Sequence, residues 1–184
     1  MTDIDFQHLV DQFYQPLFRF GISLSRNQDD ASDLVQQTFS LWAAKGHQLR
    51  DKSKVKTWLF TTLYREFIGR QRKIKRYPQE ELTEAHYDEV AIESSVVKAI
   101  DSKLVLQALS ELEEIYRAPI SLFYLQQHSY QDIAEILEVP VGTIMSRLSR
   151  GKQKLRDAMN KVTSTKANKI ISLQQKPKRE GYGS

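Results

Sequence analysis

The chain has 184 residues, with 27 Lys and Arg against 23 Asp and Glu, and it contains no cysteine. The lack of cysteine excludes disulfide bridges, thiolate nucleophiles and zinc sites built on cysteine, so apolar burial must hold the core together. No apolar run reaches the roughly 18 positions that a membrane span needs, and the first residues lack the basic start and apolar stretch of a signal peptide. We therefore expect a cytoplasmic protein with one or two small domains and no membrane span.

Charge divides the chain into four segments. Residues 1–76 hold 13 basic and 8 acidic side chains, whereas residues 77–102 hold one basic and seven acidic. Residues 103–162 are nearly balanced, with 8 against 7, and residues 163–184 carry 5 against 1. This distribution predicts two modules, 1–76 and 103–162, joined by a flexible acidic linker and followed by a basic, disordered tail.

Two amphipathic helices are predicted within the first 46 residues. Apolar side chains recur at steps of three and four along the first helix, at Leu9, Phe13, Leu17, Phe20 and Leu24. The period of 3.6 residues indicates a helix with one buried face. The segment Asn27-Gln28-Asp29-Asp30 supplies capping side chains for the second helix, and Gly46 is expected to end it.

The second helix has one polar face, opposite the apolar side formed by Leu34, Val35 and Trp42. The polar face is formed by Asp33, Gln36, Gln37 and Ser40, and Phe39 is expected to lie exposed beside it. An uncovered aromatic side chain next to ordered polar groups indicates a contact with another protein. The alternative is a solvated helix face that carries one stray phenylalanine.

A third helix, predicted from about residue 55 to residue 72, combines basic and aromatic side chains. Five residues fall within one angular sector at its start and along it: Lys54, Trp58, Thr61, Arg65 and Arg72. Cations supply affinity for phosphates, and aromatic rings offer faces on which unpaired bases can stack. The alternative for Trp58 is a core position, so its interpretation as a DNA contact depends on Lys54 and Arg65.

The second module is also predicted to be helical, with helices near 102–111, 115–126, 130–137 and 141–160. Ser129 and Asp132 resemble a capping box, and Pro140 forces a break before the last helix. A short helix, a tight turn and a longer basic helix form a helix-turn-helix. The fold class expected for the whole chain is therefore all-α.

The last of these helices has the layout of a helix that enters the DNA major groove. Ile144, Leu148 and Leu155 are expected to point into the module. The opposite strip and its basic flanks are formed by Ser146, Arg147, Ser149, Arg150, Gln153 and Lys154. Hydrogen-bonding side chains in the middle can read base edges, while cations beside them can meet phosphates. The alternative is a basic helix that is merely solvated.

Three segments in this order and spacing resemble the bacterial sigma factors of the sigma-70 family, specifically the compact extracytoplasmic-function (ECF) branch. They read DDASDLVQQTFSLWAAKG, VKTWLFTTLYREFIGRQRK and SYQDIAEILEVPVGTIMSRLSRGKQKLR. The resemblance covers roughly residues 6–76 and 103–160. It implies that the first module is sigma region 2 and the second is sigma region 4. It also implies that the chain is not an enzyme, because the polymerase performs the chemistry.

The resemblance assigns a role to each surface. Residues 33–37 align with the helix that grips the β′ clamp of the RNA polymerase core. Residues 46–53 and 54–72 align with the part that captures and melts the −10 promoter element. Residues 141–156 align with the helix that reads the −35 element. Many relatives are held inactive by an anti-sigma protein wedged between the two modules, and the acidic linker permits that geometry.

Two other functions are compatible with the same patterns. One is a helix-turn-helix repressor or activator that binds duplex DNA without polymerase. The other is a helical adaptor whose promoter-binding surfaces have decayed. No cofactor or metal site is expected, because the four histidines have no metal-ligand spacing and Gly151-Lys152 lacks the earlier glycine of a phosphate-binding loop.

Overall fold

The computed structural model describes the backbone of residues 5–76 and 104–174, with side chains described up to residue 161 and at Ser164. Every regular element within these ranges is helical, which confirms the predicted all-α class. The predicted acidic linker, residues 77–102, lies outside the described residues. Among the helices described, none combines the length and the apolar content that crossing a membrane requires.

Three helices form the N-terminal module. They are α1 (Phe6–Ser25), α2 (Gln28–Lys45) and α3 (Val55–Arg76), with short 3₁₀ turns at Gly46–Gln48 and Lys52–Lys54. The Asn27 side chain accepts a hydrogen bond of 2.9 Å from the backbone N–H of Asp30, which starts α2 as its capping chemistry predicted. The second helix ends directly before Gly46, and α3 continues past its predicted end at Arg72.

Large apolar side chains from all three helices meet in the core of this module. Phe20 of α1, Leu34 of α2 and Leu59 of α3 are each at most 1% exposed. Phe20 and Leu34 lie on the apolar sides that the sequence predicted for the first two helices. Full burial of a side chain of this size contributes about 1.5–3 kcal/mol, so these residues are major contributors to the packing of the three helices.

The C-terminal module contains shorter helices and one long helix. The elements are α4 (104–110), α5 (Glu114–Ile120), a π-helical turn (Ser121–Leu125), α6 (Tyr130–Leu137) and α7 (Val141–Gln174). The single helix predicted for 115–126 is thus divided into an α and a π segment. Pro119 lies just before the change and has no backbone N–H to donate, which weakens the regular α-helical ladder at this point.

The predicted helix-turn-helix is present in α6 and α7. Ser129 and Asp132 form the expected capping box, with 3.1 Å from the Asp132 backbone N–H to the Ser129 hydroxyl and 3.3 Å for the reciprocal bond. Glu138 ends α6 in the left-handed conformation, with a φ of 55°. Helix α7 begins directly after Pro140, as predicted.

Helix α7 is longer than the sequence predicted. The tail was expected to be disordered from residue 163, whereas the backbone is helical up to Gln174. Residues 152–174 contain neither proline nor glycine, so nothing in the backbone chemistry stops the helix once it has started. The rest of the predicted tail, residues 175–184, lies outside the described residues.

The two modules pack against each other. Helix α1 contacts α5 and the π-helical turn, and α3 contacts α6. The buried apolar cluster is continuous between them and includes Phe60 of α3 as well as Leu122 and Ile133 of the C-terminal module. The sequence predicted two modules, but it did not predict that their cores are continuous.

Candidate nucleic-acid interface

The polar face of α2 is open to solvent. Asp33, Gln36, Gln37 and Ser40 are all exposed, as predicted. The Asp33 carboxylate lies 4.0 Å from the guanidinium of Arg70 on α3, and its side chain stays 64% exposed. The face therefore carries an accessible acidic group with amide and hydroxyl groups beside it.

The expectation for Phe39 was wrong, since this residue is only 7% exposed. Its ring meets that of Phe6 edge to face, with the centroids 6.3 Å apart. Phe39 follows Val35 by four residues and so lies on the same apolar side of α2, where the start of α1 covers it. The exposed aromatic residue at this site is Phe6, at 45%.

Along α3, the predicted −10 residues lie on one side of the helix and differ in exposure. Arg65 and Arg72 are exposed, whereas Trp58 and Thr61 are half-buried. The Trp58 ring packs edge to face against Trp42, with 5.1 Å between the centroids. Trp58 thus packs against the core, as the alternative interpretation predicted, while part of its side chain stays accessible.

Two of these predicted DNA-binding cations are paired with carboxylates of the other module. The ammonium group of Lys54 lies 3.0 Å from Glu135 of α6. The hydrogen bond to Glu135 raises the pKa of Lys54. Arg65 donates a hydrogen bond of 3.0 Å from Nε to Glu138, the residue that ends α6. The side of α3 that was predicted to bind the −10 element is therefore partly covered by α6.

The contact between the modules also contains buried polar groups. The Lys56 ammonium donates to the backbone carbonyl of Gln126 at 2.8 Å. Arg117, only 5% exposed, donates to the carbonyl oxygens of Leu24 and Leu112 at 3.3 and 2.7 Å. These hydrogen bonds connect the end of α1 and the start of α3 to the C-terminal module and satisfy backbone groups that would otherwise be left unpaired.

The predicted reading strip of α7 is presented to solvent. Ser146, Ser149, Arg150 and Gln153 are exposed, and Arg147 is half-buried. On the opposite side, Ile144 is fully buried and Leu148 is 7% exposed, as predicted. Met145 adds an apolar group to the outer surface, at 54% exposure.

Lys154 behaves differently from the other predicted −35 residues. Its ammonium group lies 3.6 Å from the Glu113 carboxylate and 5.1 Å from the centroid of the Tyr116 ring. The side chain is therefore turned toward α5, although it is still 48% exposed. Phosphate contact through Lys154 would require the loss of this weak pair.

Close packing between α5 and α7 depends on Gly151. A Cβ atom at this position would lie 2.9 Å from Cγ1 of Ile120 and 3.4 Å from Cβ of Tyr116. The first distance is shorter than side-chain carbon contacts tolerate, so glycine lets the two helices approach each other. Gly151 therefore contributes to the direction in which the reading strip faces.

Sequence reasoning missed the acidic side of α6. Asp132, Glu135 and Glu138 recur at intervals of three, which places them on one side of the helix. In the structure this side faces α3. The spacing was visible in the sequence, but only the fold shows what lies opposite. Within residues 5–76 and 104–161, no group of three or more histidine or carboxylate residues is arranged to hold a metal ion.

Comparison with known proteins assigns each module to a family. Residues 9–77 match the family described as Sigma-70 region 2, and residues 102–155 match Sigma-70, region 4. The ECF RNA polymerase sigma factor EcfG of Rhodopseudomonas palustris is 32% identical over 136 residues, which are 74% of this chain and 75% of that protein. The chain belongs to the ECF branch of the sigma-70 family. Sigma factors act in transcription initiation and are not enzymes.

Other relatives of this sigma factor show the same family pattern. The ECF sigma factor SigE of Mycolicibacterium smegmatis is 34% identical over 86% of this chain, and the match spans only 63% of SigE. The ECF sigma factor SigM of Bacillus subtilis is 28% identical, with 83% of this chain and 96% of SigM covered.

Two solved structures resemble this sigma factor in fold. RpoE of Bartonella quintana, solved in complex with the anti-sigma factor NepR, has a TM-score of 0.71 and 32% identity, with 85% of this chain and 97% of RpoE covered. CnrH, solved with the cytosolic domain of CnrY, has a TM-score of 0.60 at 19% identity, with 84% and 87% covered. The likeness to CnrH concerns the fold alone.

Proposed function

We propose that this chain binds the RNA polymerase core and directs promoter-specific initiation by recognising −35 and −10 elements and assisting DNA melting. The observation that carries the proposal is that one chain combines an exposed polar strip on α7 with a basic and aromatic face on α3. These surfaces belong to modules that match sigma regions 4 and 2. Such a chain acts in the cytoplasm, where the polymerase acts.

The −35 element is the proposed ligand of α7. Ser146, Ser149 and Arg150 are exposed in the middle of the strip, where side chains of a helix in the major groove meet base edges. Arg147, Gln153 and Lys154 lie close to this centre and are the proposed contacts to phosphates and neighbouring bases. Phosphate contacts fix the position of the helix, and base contacts provide the sequence preference.

The −10 element is the proposed ligand of α3, through Lys54, Trp58, Thr61, Arg65 and Arg72. Extruding a base from the stack costs a few kcal/mol, which contacts to the protein must offset. The accessible part of the Trp58 ring offers a stacking surface, and its contact with Trp42 holds the ring in place. Lys54 and Arg65 supply affinity for the backbone of the unpaired strand.

The exposed face of α2 is the proposed contact to the β′ clamp. It consists of Asp33, Gln36, Gln37 and Ser40. Phe39 supports this face from the core of the module. Docking on the polymerase raises the effective concentration of each module for its own promoter element. Specificity then comes from both elements at a set spacing. The likeness to RpoE, which was solved with an anti-sigma factor, supports an anti-sigma protein as a further partner.

Abortive transcription by purified polymerase core tests the proposal. We expect promoter-specific short RNA products only when core and this chain are both present, on promoters selected from a random library by the reconstituted holoenzyme. Duplex binding without polymerase-dependent transcription would instead indicate a repressor or activator. A chain with no affinity for the core would refute the proposal.

A further inference from the structure

The outer surface of α7 begins with two apolar side chains. Val141 and Met145 are 38% and 54% exposed, and they lie one helical turn apart, so they are neighbours on the outside of the helix. Gly142 follows Val141, and a Cβ atom at this position would meet nothing within 4 Å in the described part of the chain. The start of α7 therefore presents an apolar surface with open space beside it.

Met145 projects from a turn that the core holds in place. Ile144, directly before it, is fully buried, and Leu148 is also buried. Packing thus fixes the backbone at this turn, while the exposed side chain keeps three rotatable bonds and a polarizable sulfur. An exposed apolar side chain is ordinary on a protein surface. Met145, however, directly precedes Ser146 and lies one turn before Ser149, two of the proposed base readers.

This position and the chemistry of methionine together define the ligand. A helix-turn-helix places the N-terminal residues of its second helix against base edges in the major groove, and Met145 is the fifth residue of α7. Methionine has no hydrogen-bond donor, and its sulfur is a weak acceptor, so it is poorly suited to the polar atoms of the bases. The 5-methyl group of thymine is the apolar group that the base pairs present in this groove.

We propose that Met145, together with Val141, selects thymine at one position of the −35 element by burying its 5-methyl group. The inference rests on the proposed function of α7 and adds a specificity contact to it. Arg150 carries hydrogen-bond donors on the same strip, so α7 combines polar and apolar recognition of bases. Loss of a single methyl group from such a contact should weaken binding about 3- to 10-fold.

Replacement of thymine by uracil tests the contact, because uracil differs from thymine only by the missing 5-methyl group. Polymerase core reconstituted with the full chain first selects a −35 element from a random library. Each thymine of that element, on either strand, is then replaced in turn, and the affinity of the holoenzyme for the promoter is measured by competition. We expect a loss of about 3- to 10-fold at one position.

Variants at position 145 assign this loss to Met145. Met145→Gln keeps the length of the side chain but makes its end polar, so thymine and uracil should bind about equally there. Met145→Leu stays apolar and should keep the preference. The matched control is Met159→Ala, which removes another exposed methionine about 21 Å further along α7 and should also keep it. Misfolding weakens binding to both promoters alike, so the thymine-to-uracil ratio reports the contact itself.

5-Methylcytosine provides the second readout. With a C·G pair at the sensitive position, methylation of that cytosine should strengthen binding of the wild-type chain about 3- to 10-fold and leave Met145→Gln unaffected. A selected element without a methyl-sensitive thymine, or the same thymine-to-uracil ratio in Met145→Gln as in the wild type, would overturn the inference and leave the proposed function intact. A holoenzyme that selects no −35 element would refute both.

Discussion

The imidazole of His128 packs edge-on against the ring of Phe60, with 4.6 Å between the ring centroids. His128 belongs to the C-terminal module and Phe60 to α3, and both are buried. A titratable group thus lies within the contact between the two modules. Its Nε2 atom has no hydrogen-bond partner within the described residues.

We expect stability to fall in acid because of His128. Burial, and then the positive charge of Lys56, lower the pKa of His128 from 6.5 to about 4, while Asp132 acts in the opposite direction. The unfolded chain therefore binds the proton more tightly, and the free energy of unfolding decreases as the pH drops from about 6.5 to 4. Urea denaturation at several pH values measures this slope.

The variant His128→Phe is the control for this prediction, because it keeps a ring against Phe60 and removes the proton-binding site. It should show a flatter pH dependence between about 6.5 and 4. Hydrogen bonding from Ser129 lowers the pKa of Asp132 below 3.8, so most of the stabilisation from that carboxylate is lost below this window. An identical slope in the variant would contradict the assignment to His128.

Gly46 should be intolerant of a side chain. A Cβ atom there would lie 2.5 Å from the Trp42 ring, which also packs against Trp58. Gly46→Ala should destabilise the chain by about 1–3 kcal/mol, because the indole must move within a packed core. The control is Gly69→Ala. A Cβ atom at this position would meet no other part of the protein within 4 Å, so the free energy of unfolding should rise by about 0.5–1 kcal/mol. Urea denaturation distinguishes the two, and equal stabilities would contradict the packing argument.

Reversing the charge at Asp33 should weaken binding to the polymerase core. We expect Asp33→Lys to reduce the affinity about tenfold or more, because a cation would replace the exposed carboxylate in the proposed contact. Competition with a labelled copy of the chain measures this. The control is Asp11→Lys, which reverses the charge of another exposed carboxylate, on α1. A parallel loss of duplex binding through α7 would indicate misfolding rather than a lost contact.

Arg150 should determine sequence preference at one position of the −35 element. Arg150→Ala should cost about 1–3 kcal/mol and relax the preference there. Lys152→Ala, at the exposed basic flank, should weaken binding evenly across sequences and reduce the salt dependence. Selection of bound duplexes from a randomised −35 library distinguishes these outcomes. An unchanged preference in Arg150→Ala would exclude Arg150 from the base-reading residues.

Local patterns were sufficient to predict most of the helices. The apolar spacing around Phe20, the cap at Asn27 and the capping box at Ser129 act within a few residues, so the sequence displays them directly. The same holds for the two sides of α7, where Ile144 is buried and Arg150 exposed.

Contacts between distant parts of the chain could not be predicted in this way. Phe39 was placed on the surface although its spacing from Val35 favours the apolar side of α2; the local pattern gave no sign that Phe6 of another helix covers it. Burial of His128 and Arg117 depends on how one module meets the other, and no local period encodes that. The length of α7 was underestimated because a polar composition was taken to mean disorder, whereas the absence of helix-breaking residues was the stronger signal.

Because position 151 is a glycine, the orientation of α7 can change in evolution through this one residue. All the proposed base-reading residues lie on α7, and Gly151 lets this helix pack closely against Ile120 of α5. A methyl group added at position 151 would push α7 away from α5. The exposed strip of α7 would then face a different direction, although its own residues would be unchanged. In a relative, a substitution at this position would therefore change how α7 is oriented on the −35 element without contacting the DNA.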